Sequence, residues 1–276
     1  MKKIIVPVDF SIASSWGYYY AYEMAKHIGA ELIVLHLYWP PYVESTYPME
    51  QIQAIYNAKE EEVLQHLKAA TCPPVKDAAD AVQRSYIVQP GSENTIVSAA
   101  NEVEAELIIM GTHGSGKALD KVWGTNTEKV IKEATCPVIA IPEGAIFSPV
   151  EEIAYATDFD EKDQELLFQL AIVATAIQAK VHCVHINKVG TPYNAPDEQS
   201  FRARFEKDFK GLPVTFTSFS AESVEEGLQT FCRVNDIDIL AMLTHHKSLW
   251  DKLFGGRSVV HRMVGRSNLP LLAFHE

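Results

Sequence analysis

The sequence predicts an α/β protein made of two tandem copies of one unit, each a parallel sheet covered on both faces by helices. Three observations carry that expectation. Short, nearly all-apolar runs of strand type alternate with longer stretches of helical spacing, as strands buried on both faces require. The pattern then restarts at an offset of 149 residues. Finally, one apolar run, Leu107-Ile108-Ile109-Met110, leads straight into the glycine-rich turn Gly111-Thr112-His113-Gly114-Ser115-Gly116-Lys117.

Taken in order, 4–8 is a β-branched run ending at Asp9, after which Ser11 and Ser14 offer helix caps. Residues 16–28 have helical apolar spacing, and Gly29 stands where a helix stop belongs. A second buried strand covers 31–37. Proline and aromatic residues make 38–48 a loop, and 49–70 reads as a charged helix. Strands follow at 84–89, 106–110 and 137–141, with helices at 94–101 and 127–133. Trp16, Tyr18, Tyr19, Tyr20 and Tyr22 crowd the first helix. They cannot all face one core, so part of that surface should meet another helix, the other copy or another chain.

The second copy repeats the landmarks. Asp158-Phe159 lies beneath Asp9-Phe10, and His185 beneath His36. Asp236 to Met242 repeats Glu104 to Met110, and the Leu269-Pro270-Leu271 stretch repeats Cys136-Pro137-Val138. This is an internal duplication with units at 1–143 and 150–276, joined where glycine and proline interrupt the pattern.

Composition narrows the function classes. A chain of 276 residues with 47% apolar and 22% charged residues is a folded globular protein. A net charge of −12 argues against nucleic acid as a partner. No apolar segment approaches the roughly 18 residues that cross a bilayer, and the first residues are too short for a signal peptide, so no membrane partner is expected. Four cysteines without a C-x-x-C pair read as reduced thiols in a cytoplasmic protein.

The chemistry sits in the glycine-rich turn and the stretch just beyond it. After nine intervening residues beyond Gly114 come Gly124-Thr125-Asn126-Thr127 and then a helical pattern. Glycines let backbone N–H groups approach an anion, and a helix starting at Asn126 or Thr127 would add its positive end. The stretch reads as a phosphate cradle. It nearly matches the P-loop, but Ala118 comes after Lys117 where a magnesium-binding hydroxyl belongs, and the turn comes after the fourth strand. Asp9 and Asp158 each end a strand without a partner acid or base, so a ligand contact or a turn cap is favoured over catalysis. His36 and His185 read as core or loop-anchoring residues. His182, Cys183, His185, His245 and His246 match no standard zinc spacing. The acids from Asp158 to Glu165 read as a solvated helix start.

Gly111-x-x-Gly114, nine residues, then Gly124-Thr125 resembles the ATP-binding signature of the universal stress protein superfamily. Pro7-Val8-Asp9-Phe10, Leu35-His36-Leu37 and Cys136-Pro137-Val138 are similar to that family as well, so the resemblance covers the chain as two copies. It implies a Rossmann-like, five-stranded parallel sheet in the order 3-2-1-4-5, with ligands at the carboxyl ends of the strands where the order reverses. It also implies roles for single residues. Pro7, Val8 and Asp9 would line an adenosine pocket, and the Leu37 backbone would read the adenine edge. Met110 and Gly111 would lie near the ribose and α-phosphate. Gly114, Gly124, Thr125 and Asn126 would hold the phosphates, with His113 and Thr127 at the edge. The expected cofactor is ATP, with or without Mg²⁺.

The second copy departs from this pattern. Leu243 and His246 replace Gly111 and Gly114, and Gly255-Gly256-Arg257-Ser258 comes one residue short. One competent and one degenerate site are therefore expected. The function implied is a nucleotide-dependent sensor or regulator acting on an unidentified protein partner. The alternatives are a slow Mg²⁺-dependent ATPase or phosphotransferase using Lys117 and Asp9, or a receptor for another small ligand in the second copy. Copies in this family commonly pair through their fifth strands. Here 137–141 and 270–274 should pair within the chain as a pseudo-two-fold dimer, with a homodimer through the first helix as a further level of assembly.

Overall fold

The computed structural model describes residues 1–44, 46–71, 82–91, 93–112, 125–157, 164–190, 199, 202–203, 212–243 and 269–274. In chain order the first half contains β1 (Lys3–Pro7), α1 (Ile12–Ile28), β2 (Glu31–Tyr38), α2 (Met49–Ala70), β3 (Arg84–Pro90), α3 (Glu93–Glu102), β4 (Leu107–Gly111), α4 (Thr125–Glu133) and β5 (Val138–Ile141). The second half contains β6 (Glu152–Ala156), α5 (Gln164–Ile177), β7 (Lys180–Lys188), β8 (Val214–Ala221), α6 (Val224–Val234), β9 (Ile239–Leu243) and β10 (Leu271–Phe274).

All ten strands form one sheet, in the order β3-β2-β1-β4-β5-β10-β9-β6-β7-β8. Each half is parallel inside and runs 3-2-1-4-5 from its outer edge to the middle. The two fifth strands meet antiparallel, with Leu271 opposite Ala140, Leu272 opposite Ile139 and Ala273 opposite Val138. The expected intrachain pairing is thus present. All eight residues of β5 and β10 are buried, so an apolar edge that would otherwise recruit another strand is covered.

Strand alternation sorts the side chains into two cores, one on each face. Ile4, Val6, Leu32, Val34, Leu107 and Ile109 face α1 and α2, where Tyr18 and Leu67 meet them. Ile5, Ile33, Leu35, Ile108 and Met110 face α3 and α4, against Ile96, Val130 and Ile131.

Helix α1 starts four residues earlier than its apolar spacing predicts. Ser11 is the cap, its hydroxyl accepting from Ser14 N at 3.1 Å, and the first turn exposes Ile12, so periodicity did not mark it. Gly29 closes the helix at φ 68°, as expected. The crowded aromatics divide three ways. Tyr18 and Tyr22 turn toward α2 and β3: the Tyr18 hydroxyl donates to Thr71 O, and Arg84 lies over Tyr22. Burial pushes the Tyr18 phenol up to about 12. Tyr20 turns toward the connection between halves, where Phe147 meets its ring edge-on at 5.2 Å. Burial raises the Tyr20 pKa, with the Asp238 carboxylate of the second half adding to it. Tyr19 stays 42% exposed.

Candidate functional site

The strand order reverses between β1 and β4, so a crevice opens where the chains leave those strands in opposite directions. Helix α4 connects β4 to its parallel neighbour β5 and runs back along the sheet, which puts its amino end at the carboxyl end of β4. It begins at Thr125, a residue or two before the expected start. Asn126 is exposed and Thr127 is 3% exposed. The β1, β2 and β4 carboxyl ends and α4 thus bring together Pro7, Val8, Asp9, Leu37, Met110, Gly111, Asn126 and Thr127. His113, Gly114 and Gly124, with Lys117 and Ala118, lie outside the described residues. So do Asp158, Asp160, Glu161, Asp163, His245, His246 and the glycines at 255 and 256. For Thr125 only the backbone is described.

Val8 N bonds Leu35 O at 2.8 Å and prolongs the β1–β2 ladder by one residue. The chain then turns sharply. Asp9 Oδ1 accepts from Ser11 N at 3.0 Å, and Asp9 N donates to Ser14 Oγ at 3.3 Å. Asp9 is therefore the turn cap that the sequence offered as one of its roles, while its side chain stays solvent-accessible. Burial pushes the Asp9 carboxyl up, but hydrogen bonding to Ser11 and Ser14 outweighs it and holds the carboxyl below its ordinary value. Phe10 adopts φ 65°, a conformation that a bulky residue enters only under constraint. Its ring supplies one: it lies 4.5 Å from the His36 ring and stacks on His66 at 4.4 Å. His36 Nδ1 donates to Val8 O at 2.6 Å and ties β2 to the start of this turn. His185 Nδ1 does the same to Thr157 O at 2.9 Å in the second half. Both histidines are loop anchors, as read from their matched positions.

Gly111 has a role that its place in a glycine-rich turn did not reveal. A Cβ on it would sit 1.7 Å from Ala13 O and 2.4 Å from Ala13 C, inside the backbone of α1. Gly17 is the reciprocal surface, since its Cβ would lie 2.4 Å from Gly111 N. The two glycines let α1 press against the end of β4. Close approach is the reason for Gly111, as anticipated, but the approaching backbone is a helix of the same chain. A glycine inside a helix costs roughly 1 kcal/mol relative to alanine, and that cost at Gly17 was the available signal. Thr112 carried no such signal in the sequence. It is fully buried, and both its N–H (2.8 Å) and its hydroxyl (3.1 Å) donate to Ile141 O, which prolongs the β4–β5 ladder by one residue.

Two other polar features stand out. A cavity of about 220 Å³ opens on the α1–α2 face, lined by Val8, Phe10, Tyr18, Tyr19 and His66 among others. In the second half His182 is 6% exposed, with Nε2 donating to Glu152 Oε2 at 2.5 Å and Nδ1 2.7 Å from Thr215 Oγ1. Among the described residues no three metal-ligating side chains cluster, and no helix is long and apolar enough to cross a membrane.

Comparison with known proteins agrees with this architecture. A universal stress protein of Thermus aquaticus is 30% identical over 142 residues, which cover 51% of this chain and 98% of that protein. One of Methanocaldococcus jannaschii is 27% identical over 143 residues, covering 51% and 81% respectively. The crystal structure of a universal stress protein from Archaeoglobus fulgidus shares the fold along 99% of this chain and 98% of its own, with a TM-score of 0.66 at 18% sequence identity. Residues 1–142 match the universal stress protein family model itself, and this chain belongs to that family.

Proposed function

We propose that the chain is an ATP-binding stress-response protein of the cytoplasm, a nucleotide-dependent sensor or regulator whose competent site lies in the unit 1–143. The observation that carries this reading is the meeting of α4's amino end with the β1–β4 switch point, where a helix dipole and its first-turn amides face the crevice. The residues fit such a guest. Asn126, Thr127 and the glycines at 114 and 124 offer neutral donors for a triphosphate, Asp9 offers an acceptor for a ribose hydroxyl, and the Leu37 backbone faces the base side. Mg²⁺ would come with the triphosphate and screen its charge. The unit 150–276 has leucine at 243 and histidine at 246 where the first has Gly111 and Gly114, and serves as the paired half.

Isothermal titration of the full chain with ATP tests this reading. A stoichiometry near one is expected, with binding lost in Gly114→Val at unchanged melting temperature. A stoichiometry near two, or no heat of binding, would overturn it.

A further inference from the structure

The cavity between α1 and α2 is a shaped space that the nucleotide reading leaves unused. Its volume is about 220 Å³. A cavity of about 150 Å³ has room for benzene, whereas pockets for drug-sized ligands begin near about 300 Å³. The space therefore suits a molecule of one or two rings. It touches the turn at 8–10, but its walls are helical: Ser15, Tyr18 and Tyr19 come from α1, His66 from α2 and Thr71 from the end of α2.

Two observations mark it as more than a packing gap. Phe10 lines it from a left-handed backbone, φ 65°, with its ring stacked on His66 at 4.4 Å. Strain of this kind in a bulky residue persists only where the surroundings enforce it, and ligand clamps are one such setting. Polar groups also stand deep in the wall, since Tyr18 and Thr71 are only 2% and 1% exposed.

The lining sets the chemistry of a guest. Phe10, Tyr18, Tyr19 and His66 supply ring faces for a flat molecule. Three hydroxyl protons are already committed to backbone carbonyls: Ser15 to Ser11 O at 3.0 Å, Tyr18 to Thr71 O at 2.5 Å and Thr71 to Leu67 O at 2.7 Å. Toward a guest these oxygens can only accept, so the guest must bring an N–H or O–H. Ions of either sign fit poorly. The described lining residues include no carboxylate, lysine or arginine to pair with one. Arg84 Nη1 donates to Thr71 O at 3.1 Å and stands 3.5 Å from the Tyr18 hydroxyl, which opposes a cation. Oxygens that can only accept repel an anion.

We propose that the α1–α2 cavity is a second ligand site, taking a neutral aromatic molecule of one or two rings that carries a hydrogen-bond donor. The site is independent of nucleotide binding.

Indole is the probe, because it joins two fused rings to one N–H, and benzofuran keeps the shape with an oxygen in place of that N–H. Calorimetric titration of the full chain with indole should show one site with a dissociation constant below about 1 mM, and benzofuran should bind about tenfold more weakly. Ala70 lines the cavity and is exposed, so Ala70→Phe fills the space without entering the core. That variant should lose indole binding at an unchanged melting temperature. Tyr19→Ala should weaken indole about fivefold, while Tyr19→Phe stays within about twofold of the parent. No saturable heat from indole would overturn the proposal. Full indole binding by a folded Ala70→Phe would overturn it too, because the probe would then sit elsewhere. Should Ala70→Phe melt early, Tyr19→Ala decides, and unchanged indole affinity there would overturn the site. Equal affinity for indole and benzofuran would overturn the donor requirement.

Discussion

The two halves share their hydrogen-bonded frame and differ in the residues at the seat of the first helix. Each half has its strands in the same order. In each, the residue after the first strand bonds back to the second strand, Val8 N to Leu35 O and Thr157 N to Val184 O. Each anchors that point with a histidine, and each ends its first helix in a left-handed residue, Gly29 and its counterpart Gln178 at φ 61°. The helix seat is different. Where the first half has Gly17 against Gly111, the second has leucine at both matching positions, 166 and 243. Leucines cannot occupy space in which even a Cβ would stand 1.7 Å from a carbonyl oxygen. The duplicated sheet is thus preserved by its hydrogen bonds, while the residues at the glycine seat beside the crevice diverge.

The central seam is where the comparison breaks most severely. Ile139 is fully buried opposite Leu272. Ile139→Asp should cost about 4 kcal/mol, because an unpaired carboxylate would lie between the halves. Urea unfolding should record that loss with no clean halving of solution mass, and a stable variant of half the mass would mean the strand pairs between chains. Next in size is the helix seat. Gly111→Ala should cost about 3 kcal/mol through backbone overpacking, with a lowered denaturation midpoint. An unchanged midpoint would show that α1 can slide away from β4 freely.

Smaller effects sharpen the likeness. His36→Phe and His185→Phe each leave a loop carbonyl without its donor and should each cost about 1–2 kcal/mol. Thermal melts of the two variants should shift alike, and a shift in only one would refute the shared anchoring role. Gln178→Gly should stabilise the chain by about 1 kcal/mol, since a non-glycine residue at φ 61° carries a conformational cost that Gly29 avoids. No gain in melting temperature would place that cost elsewhere.

Much of this frame was legible because its causes are local. β-Branched runs announce strands, Gly29 announces a helix end, and the recurrence of His36 as His185 announced a shared task before any contact was known. The seam between β5 and β10 was legible from two apolar fifth strands held in one chain. What escaped depends on contacts between residues far apart in the chain. Gly111 sits in a turn that suggests an anion, and only the packed helix reveals that its missing side chain makes room for Ala13, 98 positions earlier in the chain. Phe10 gave no hint of its left-handed backbone, because the constraint comes from rings on β2 and α2. Tyr20 could not be assigned to the connection between halves until Phe147 was seen against it.

The antiparallel meeting of β5 and β10 reverses every strand of one half relative to every strand of the other. Ligands of such sheets gather at carboxyl ends, so the two switch points open toward opposite poles of the molecule. The halves are joined by the shared sheet and, beside it, by Tyr20 of the first helix packing on Phe147 of the connection. A chain arranged in this way presents two separate faces on a single spine.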